Sequence, residues 1–509
     1  MTNSKAHHFD KSNAATSLRR VFTCCFLLAI AVVLMGQGTL YSQSTRQIAI
    51  YGNATYNEGV ATLVLNDSTL LIIGNTSGFT SNSAIWLGWA DMDGVLMYDQ
   101  LISRQGLIKV NAATLHDSLL YMVGYAMQGG NYQNMLLCIR YDGTVVGEHY
   151  WGPAGWSFAQ DIEVVTHDTL IVAGGASDTI YGALNAMVYC LNHQGHILWQ
   201  KDFGGAGNDQ FMAVSQGHGQ SLIMGGYSGS NSYYGDSALY IAKIDKEGNL
   251  LWEMFDDHPG PDVVMDVKKR ASGGYVACGQ TSRWPQYGQD AFLMLVSEQG
   301  DITMVNPFGR GIEAGFNYLL QMPDQTFRAA GFYDGQFSHG DLDFFVQNAM
   351  SNGYWSPTLG GIIIGGSRRD IANHLTVTPD GGFVATGTTY SFGPGVSHIM
   401  VMKTDSLLNT GSVLPHQINV NRPQQTANQT SITIWPVPAT HTLNIELTLS
   451  TFTSSTPTHG VIFDITGKTI AQFPVAPLHS QTLQIPVSHL KSGVYFMRIA
   501  EQTTRFMVQ

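Results

Sequence analysis

Charge is scarce in this chain. Asp, Glu, Lys and Arg make up 12% of its 509 residues, and the basic share is the smaller, 25 Lys and Arg against 37 Asp and Glu. The formal charge of -12 leaves no basic footprint to attract phosphate, which excludes nucleic acid and anionic membrane surfaces as partners. Helical spacing is missing too: no stretch keeps an apolar i, i+3, i+4 pattern for three turns, which excludes a helical or α/β architecture. Cysteine is rare, five in all. Cys24 and Cys25 fall in an N-terminal apolar run, and the remaining Cys138, Cys190 and Cys278 cannot form a closed disulfide framework, so buried free thiols are expected. Enzyme signatures are lacking as well. There is no H-E-x-x-H, no G-x-S-x-G, no cysteine pair at zinc spacing and no G-x-G-x-x-G between strand and helix. "GKT" at 467-469 lacks the preceding glycine of a phosphate loop. Carboxylate pairs for glycoside hydrolysis need proximity in space and cannot be read from the chain.

Only one long apolar run is present, "VFTCCFLLAIAVVLM" at 21-35. It follows Arg19-Arg20 and precedes small polar residues, which predicts a cleaved signal peptide over 1-42. The run is too short to span a bilayer, so no transmembrane segment is expected once the signal is removed.

What is plentiful is a repeated unit. A glycine closing an apolar run recurs at Gly74, Gly124, Gly174, Gly225, Gly279, Gly331 and Gly387, in steps of 50, 50, 51, 54, 52 and 56 residues. A turn glycine keeps the same step at Gly94, Gly143, Gly195, Gly248, Gly300 and Gly353. Short Val-, Ile-, Leu-, Tyr- and Phe-rich runs between Gly, Asp, Asn and Ser turns read as four strands, A to D, per unit. Seven such units predict an all-β fold, a seven-bladed β-propeller over 43-410. "RQIAIY" at 46-51 resembles a strand D with no A to C before it, and the last unit lacks a good fourth strand. The N-terminal strand is therefore expected to complete the last blade.

"SGGYVACGQTS" (272-282), "DGGFVATGTT" (380-389) and "ALYIAKIDKEGNLLW" (238-252) carry a resemblance to secreted bacterial propeller repeats, which covers about 46-410. After Gly411 a Pro-, Gln- and Asn-rich linker, 411-430, leads to seven short alternating strands at 431-509 that predict a small immunoglobulin-like β-sandwich. "WPVPA" (435-439), "VIFDITGK" (461-468) and "LKSGVYFMRI" (490-499) closely resemble the C-terminal sorting domain of the type IX secretion system of Bacteroidota. Its motif positions fall on Pro436, Pro438, Asp464, Gly467, Lys468, Gly493 and Tyr495. Val437 replaces the usual Asn, and Gln509 stands where Lys is frequent. The resemblance implies the type IX machinery as a partner, passage across the outer membrane, and a secreted or surface-attached product.

Candidate site residues fall in two groups. Glu58, Asp209, Asp262, Glu313 and Asp370 recur at the entrance of the innermost strand, either as a calcium-binding ring or as acceptors for loop N-H groups. The repetition favours the second, with no cofactor. The B-C loops are expected to run to about ten residues and to share one face with the D-A loops, collecting Trp151, Trp156, Tyr181, Tyr234, Trp284, Tyr287, Phe337, Arg310 and Arg368. Aromatics among Gly and Ser on a rigid scaffold make an adaptable binding surface. The expected function is binding of an extracellular glycan or protein by a monomer. A polysaccharide hydrolase or lyase and a structural surface-layer protein are the alternatives.

Overall fold

The computed structural model describes residues 48-409, 416-419, 431-448, 458-499 and 502-508, apart from 53-54, 78-82, 167, 284-287, 310-312, 336-337, 357-359, 436-438, 465-467 and 476-480. The chain divides into two compact units, 1-44 and 45-509, and the first, with the expected signal peptide, lies outside the described residues. No helix occurs among the described residues, and none is long and apolar enough to cross a membrane.

Up to residue 419 the strands form six antiparallel four-stranded sheets, at 57-103, 108-151, 157-203, 209-256, 263-308 and 314-364, and one five-stranded sheet. These are called sheets I to VII. In each of I to VI the strands pair in chain order, A to D. Apolar clusters join I to II, II to III, III to IV, IV to V, V to VI, VI to VII, and VII back to I. Radial closure of this kind defines a β-propeller and leaves only short sheet edges.

The ring closes through its N-terminus. In sheet VII, strand Ile48–Gly52 lies antiparallel on His398–Thr404, with Tyr51 opposite Ile399, as the orphan strand D required. Its four apolar side chains are buried, Tyr51 completely. One element differs from expectation: His416–Asn419, inside the predicted linker, adds parallel to Ile48–Gly52 as a fifth strand. It pairs with the edge N-H and C=O groups that Ile48–Gly52 would otherwise expose.

The anchor glycines acquire a physical cause. All seven A strands carry a register break that leaves one residue unpaired: Val60, Asn111, Gln160, Met212, Met265, Asn317 and Asn373. The anchor glycine lies opposite this bulge, and a Cβ at Gly124, Gly174, Gly279, Gly331 or Gly387 would come within 1.9-2.1 Å of a carbonyl oxygen of strand A. In sheet IV the residue in that position is Gly226, opposite Phe211, and not Gly225. The doubled glycine concealed the register.

Residues 431-508 fold separately as a three-stranded and a four-stranded antiparallel sheet around one apolar cluster containing Leu443, Ile462, Met497 and Phe506. Phe496, on the opposite side of the four-stranded sheet, meets Tyr98 of sheet I at 5.1 Å.

Candidate ligand-binding face

Because Asp209 pairs with Ser228 and Ser228 with Ala238, strand A begins at the same end where B finishes and C starts. The D-A and B-C loops therefore share one face of the propeller. Asp209, Asp262 and Asp370 bracket the two loops together. One carboxylate oxygen accepts the N-H of the residue four earlier, Gly205, His258 and Gly366 respectively. The other accepts the N-H of Ser230, Ser282 and Ser391 in the B-C loop. All three aspartates are fully buried. A carboxylate held this way is an architectural acceptor. Glu58 and Glu313 do otherwise: Glu58 pairs with Lys109 at 3.0 Å, and Glu313 is exposed. Among the described residues no three His, Cys, Asp or Glu side chains come together as a metal site.

Aromatic rings form an arc on this face. Tyr390 meets Tyr56 edge-on at 6.4 Å. Tyr125 contacts Tyr132 and Phe158 at 5.6 and 5.0 Å. Trp156 contacts Tyr132 at 5.7 Å and Tyr181 at 4.6 Å. The Glu58–Lys109 pair links the two halves of the arc. Burial draws the Lys109 ammonium down, but Glu58, then Tyr125 and Tyr390, more than offset it, and its pKa stands above the usual lysine range. Tyr181, 85% exposed and with a φ of 64°, projects its ring into solvent.

Not every expected residue joins this surface. Trp151 is only 9% exposed and packs on Tyr189 at 5.7 Å within the cluster joining sheets II and III, so it is a wall residue and not a ligand contact. Its place at the end of a strand facing the neighbouring sheet explains the burial. Tyr234 pairs with Tyr233 on the loop of sheet IV. Arg368 is exposed, and its backbone N-H donates to Ser391 Oγ. Trp284, Tyr287, Arg310 and Phe337 lie outside the described residues. The B-C loops are mostly eight or nine residues, as at 177-184 and 229-237, but in sheet II the connection is the two-residue turn Gly129-Gly130. Two glycines with positive φ suffice for a tight hairpin there.

Below the arc runs a channel of about 530 Å³ lined by all seven A strands. Bulge amides tie three of the sheets to the next: Asn111 Nδ2 donates to Ala159 O, Asn317 to Ala372 O, and Asn373 to Gly59 O, at 2.8-2.9 Å. Between sheets III and IV Asp161 accepts Val214 N-H, and between V and VI Asp266 accepts Leu319 N-H. Lys268 stands 2.9 Å from Asp266 and over the Tyr318 ring, which meets His374 at 4.4 Å. Burial, then the Lys268 charge, hold His374 down to about 3, and its Nδ1 has no hydrogen-bond partner among the described residues. Burial raises Asp161 to about 6. These channel residues were missed in the sequence. The recurrence of Asn or Gln thirteen or fourteen residues before the anchor glycine, at Asn111, Gln160, Asn317 and Asn373, is the signal that could have found them.

In the C-terminal domain, Asp464 and Lys468 close a hairpin, with Lys468 N-H donating to Asp464 Oδ1 at 3.1 Å. Gly493 pairs with Val508, and Tyr495 donates to Lys491 O at 2.9 Å. Pro436, Pro438 and Gly467 lie outside the described residues. Residues 433-509 match the family model of the secretion system C-terminal sorting domain. The C-terminal domain is a sorting domain. It directs the protein through type IX secretion to the cell surface or the extracellular space. No match is found among curated proteins. Solved structures similar to this chain include a protein of unknown function from Dyadobacter fermentans, 12% identical, covering 70% of this chain and 97% of that one at a TM-score of 0.41. YCF48 bound to D1 peptide is 8% identical, with 74% and 98% covered and a TM-score of 0.40. The Neurospora crassa Pan2 WD40 domain is 10% identical, with 73% and 93% covered and a TM-score of 0.39.

Proposed function

We propose that the secreted chain is a monomeric seven-bladed propeller, 43-410, joined by a linker, 411-430, to an immunoglobulin-like sorting sandwich, 431-509. On this reading it binds an extracellular glycan, with a protein ligand as the alternative, through the long-loop face. The observation that carries the reading is the aromatic arc from Tyr390 through Tyr125 and Trp156 to Tyr181, set around the Glu58–Lys109 pair at a channel mouth. Large rings with few rotatable bonds supply contact area at low entropic cost, and the ion pair supplies hydrogen-bond direction. Binding is independent of calcium, since the repeated aspartates spend their oxygens on backbone N-H groups.

A hydrolase or lyase reading has one observation in its favour: Asp161, Glu163 and Asp266 all line the channel. Asp161 and Asp266 are, however, engaged by backbone N-H groups of the next sheet, which suits a structural role better. The test is a glycan array with the purified propeller, with and without chelator, alongside polysaccharide turnover assays. Binding should be lost in Trp156→Ala and Tyr181→Ala and unaffected by chelation. Full binding by both variants, or turnover abolished by Glu163→Gln, would overturn the reading.

A further inference from the structure

On the face opposite the long loops, neighbouring sheets meet in grooves roofed by the C-D turns. Between sheets IV and V the groove is full. Trp252 lies beneath Gly300, where a Cβ would come 2.9 Å from the indole, and its N-H donates to Glu298 O at 2.9 Å. Tyr275 packs on that indole at 6.0 Å, Lys243 stands over the Tyr275 ring, and Lys243 and His218 both pair with Glu298.

One repeat earlier, between sheets III and IV, the same positions carry different residues. Register places Cys190 where Lys243 is, since each lies opposite the D-strand tryptophan, Trp199 or Trp252. Leu222 takes the place of Tyr275, and Lys246 takes the place of Glu298 in the turn before the roofing glycine. Trp199 keeps its seat beneath Gly248. The loss of a tyrosine ring and a lysine side chain leaves a cavity of about 710 Å³, walled by Ile171, Cys190, Leu198, Trp199 and Leu222. Burial pushes the Cys190 thiol up to about 11, so that wall is uncharged. Lys246 and Lys269 line the same cavity, and the one carboxylate of the equivalent groove is gone. Among the described residues Lys246 pairs with the exposed Glu247 alone, at 3.7 Å. A balanced Lys243–Glu298 pair is thus replaced by two lysines where the filling of the groove is removed.

We propose that this cleft binds a single-chain amphiphilic anion, its apolar chain lying on Leu222 and Trp199 and its carboxylate or phosphate head held by Lys246 and Lys269. The volume is within the roughly 300-1,000 Å³ of small-molecule sites, and an apolar wall with a few convergent charges is their usual composition. Rim lysines attract the head group and fix its end of the chain. The site is independent of the glycan-binding face.

Calorimetric titration of the full secreted chain with dodecanoate, followed in parallel by tryptophan fluorescence, tests this. Saturable one-to-one binding is expected, about tenfold weaker or more for uncharged dodecanol. Leu222→Tyr, which refills the cleft as its neighbour is filled, should abolish binding, and Lys246→Glu should weaken it about tenfold while melting as wild type does. Absence of saturable binding, equal binding of dodecanol, or dodecanoate binding unchanged in both variants would overturn the proposal. So would sedimentation with anionic phospholipid vesicles in the absence of any binding of free dodecanoate.

Discussion

Asp161 shows how much an individual channel side chain contributes. Its Oδ2 accepts Val214 N-H at 2.9 Å and its Oδ1 accepts Ile162 N-H at 2.8 Å, while burial, opposed by the Lys268 charge, lifts its pKa to about 6. A carboxyl whose folded pKa exceeds its unfolded value, about 4, stabilises the fold while protonated, and that contribution is lost as pH rises through about 6. Asp161→Asn gives up one of the two backbone bonds at every pH but has no charge to bury. Relative to wild type it should gain stability between pH ~4 and ~6 and hold that gain above, by at most about 3 kcal/mol. Urea melts at pH 4, 6 and 8 check this, and a pH-independent difference would contradict it. Asp209, Asp262 and Asp370 were legible as loop brackets because each lies sixteen or seventeen residues before its anchor glycine, whereas Glu58 and Glu313, at similar spacing, do not bracket a loop. Asp161 was not, because its role follows from pairing with the next sheet, which no single repeat records. Trp151 was misread for a related reason: sequence marks it as aromatic beside a loop, and only the neighbouring sheet shows which way it packs.

At the level of elements, the strands were legible and their irregularities were not. Short apolar runs between glycine turns announced four strands per unit, and the orphan run at 46-51 announced the closure. The bulge in every A strand stayed hidden, since an unpaired residue is defined by two strands at once. Its trace was the anchor glycine, whose Cβ has no room beside the strand A carbonyl. The added strand His416–Asn419 was hidden by a composition that reads as linker. Ile48–Gly52 contributes Ile48 and Ile50 to the cluster joining sheets VI and VII, and Ala49 and Tyr51 to the one joining VII and I. Deleting 44-52 should therefore open both interfaces and lower the melting temperature by at least about 5 °C, given several kcal/mol of lost burial. Differential scanning calorimetry of the truncated propeller checks it, and an unchanged melting temperature would mean that another segment closes the ring.

For the whole molecule, folding and destination reside in different parts of the chain. Among the described residues, the seven clusters that close the propeller include nothing beyond Leu408, and the cluster of the sorting domain includes nothing before Ile434. Two separate cores mean that removing one leaves the other's burial intact. Among the described residues the contacts across them include Phe496 on Tyr98, and Arg505 Nη1 donating to Asp142 O at 2.9 Å. Deletion of 431-509 should therefore leave a propeller that melts within a few degrees of the full chain but no longer reaches the cell surface or the medium. Immunoblots of surface, medium and cell fractions, with the melting curve of the truncated protein, separate the two effects. Export that survives the deletion would remove the sorting role from residues 433-509. A collapse of the melting temperature would instead mean that the seat of Phe496 on sheet I is part of the propeller's own stability.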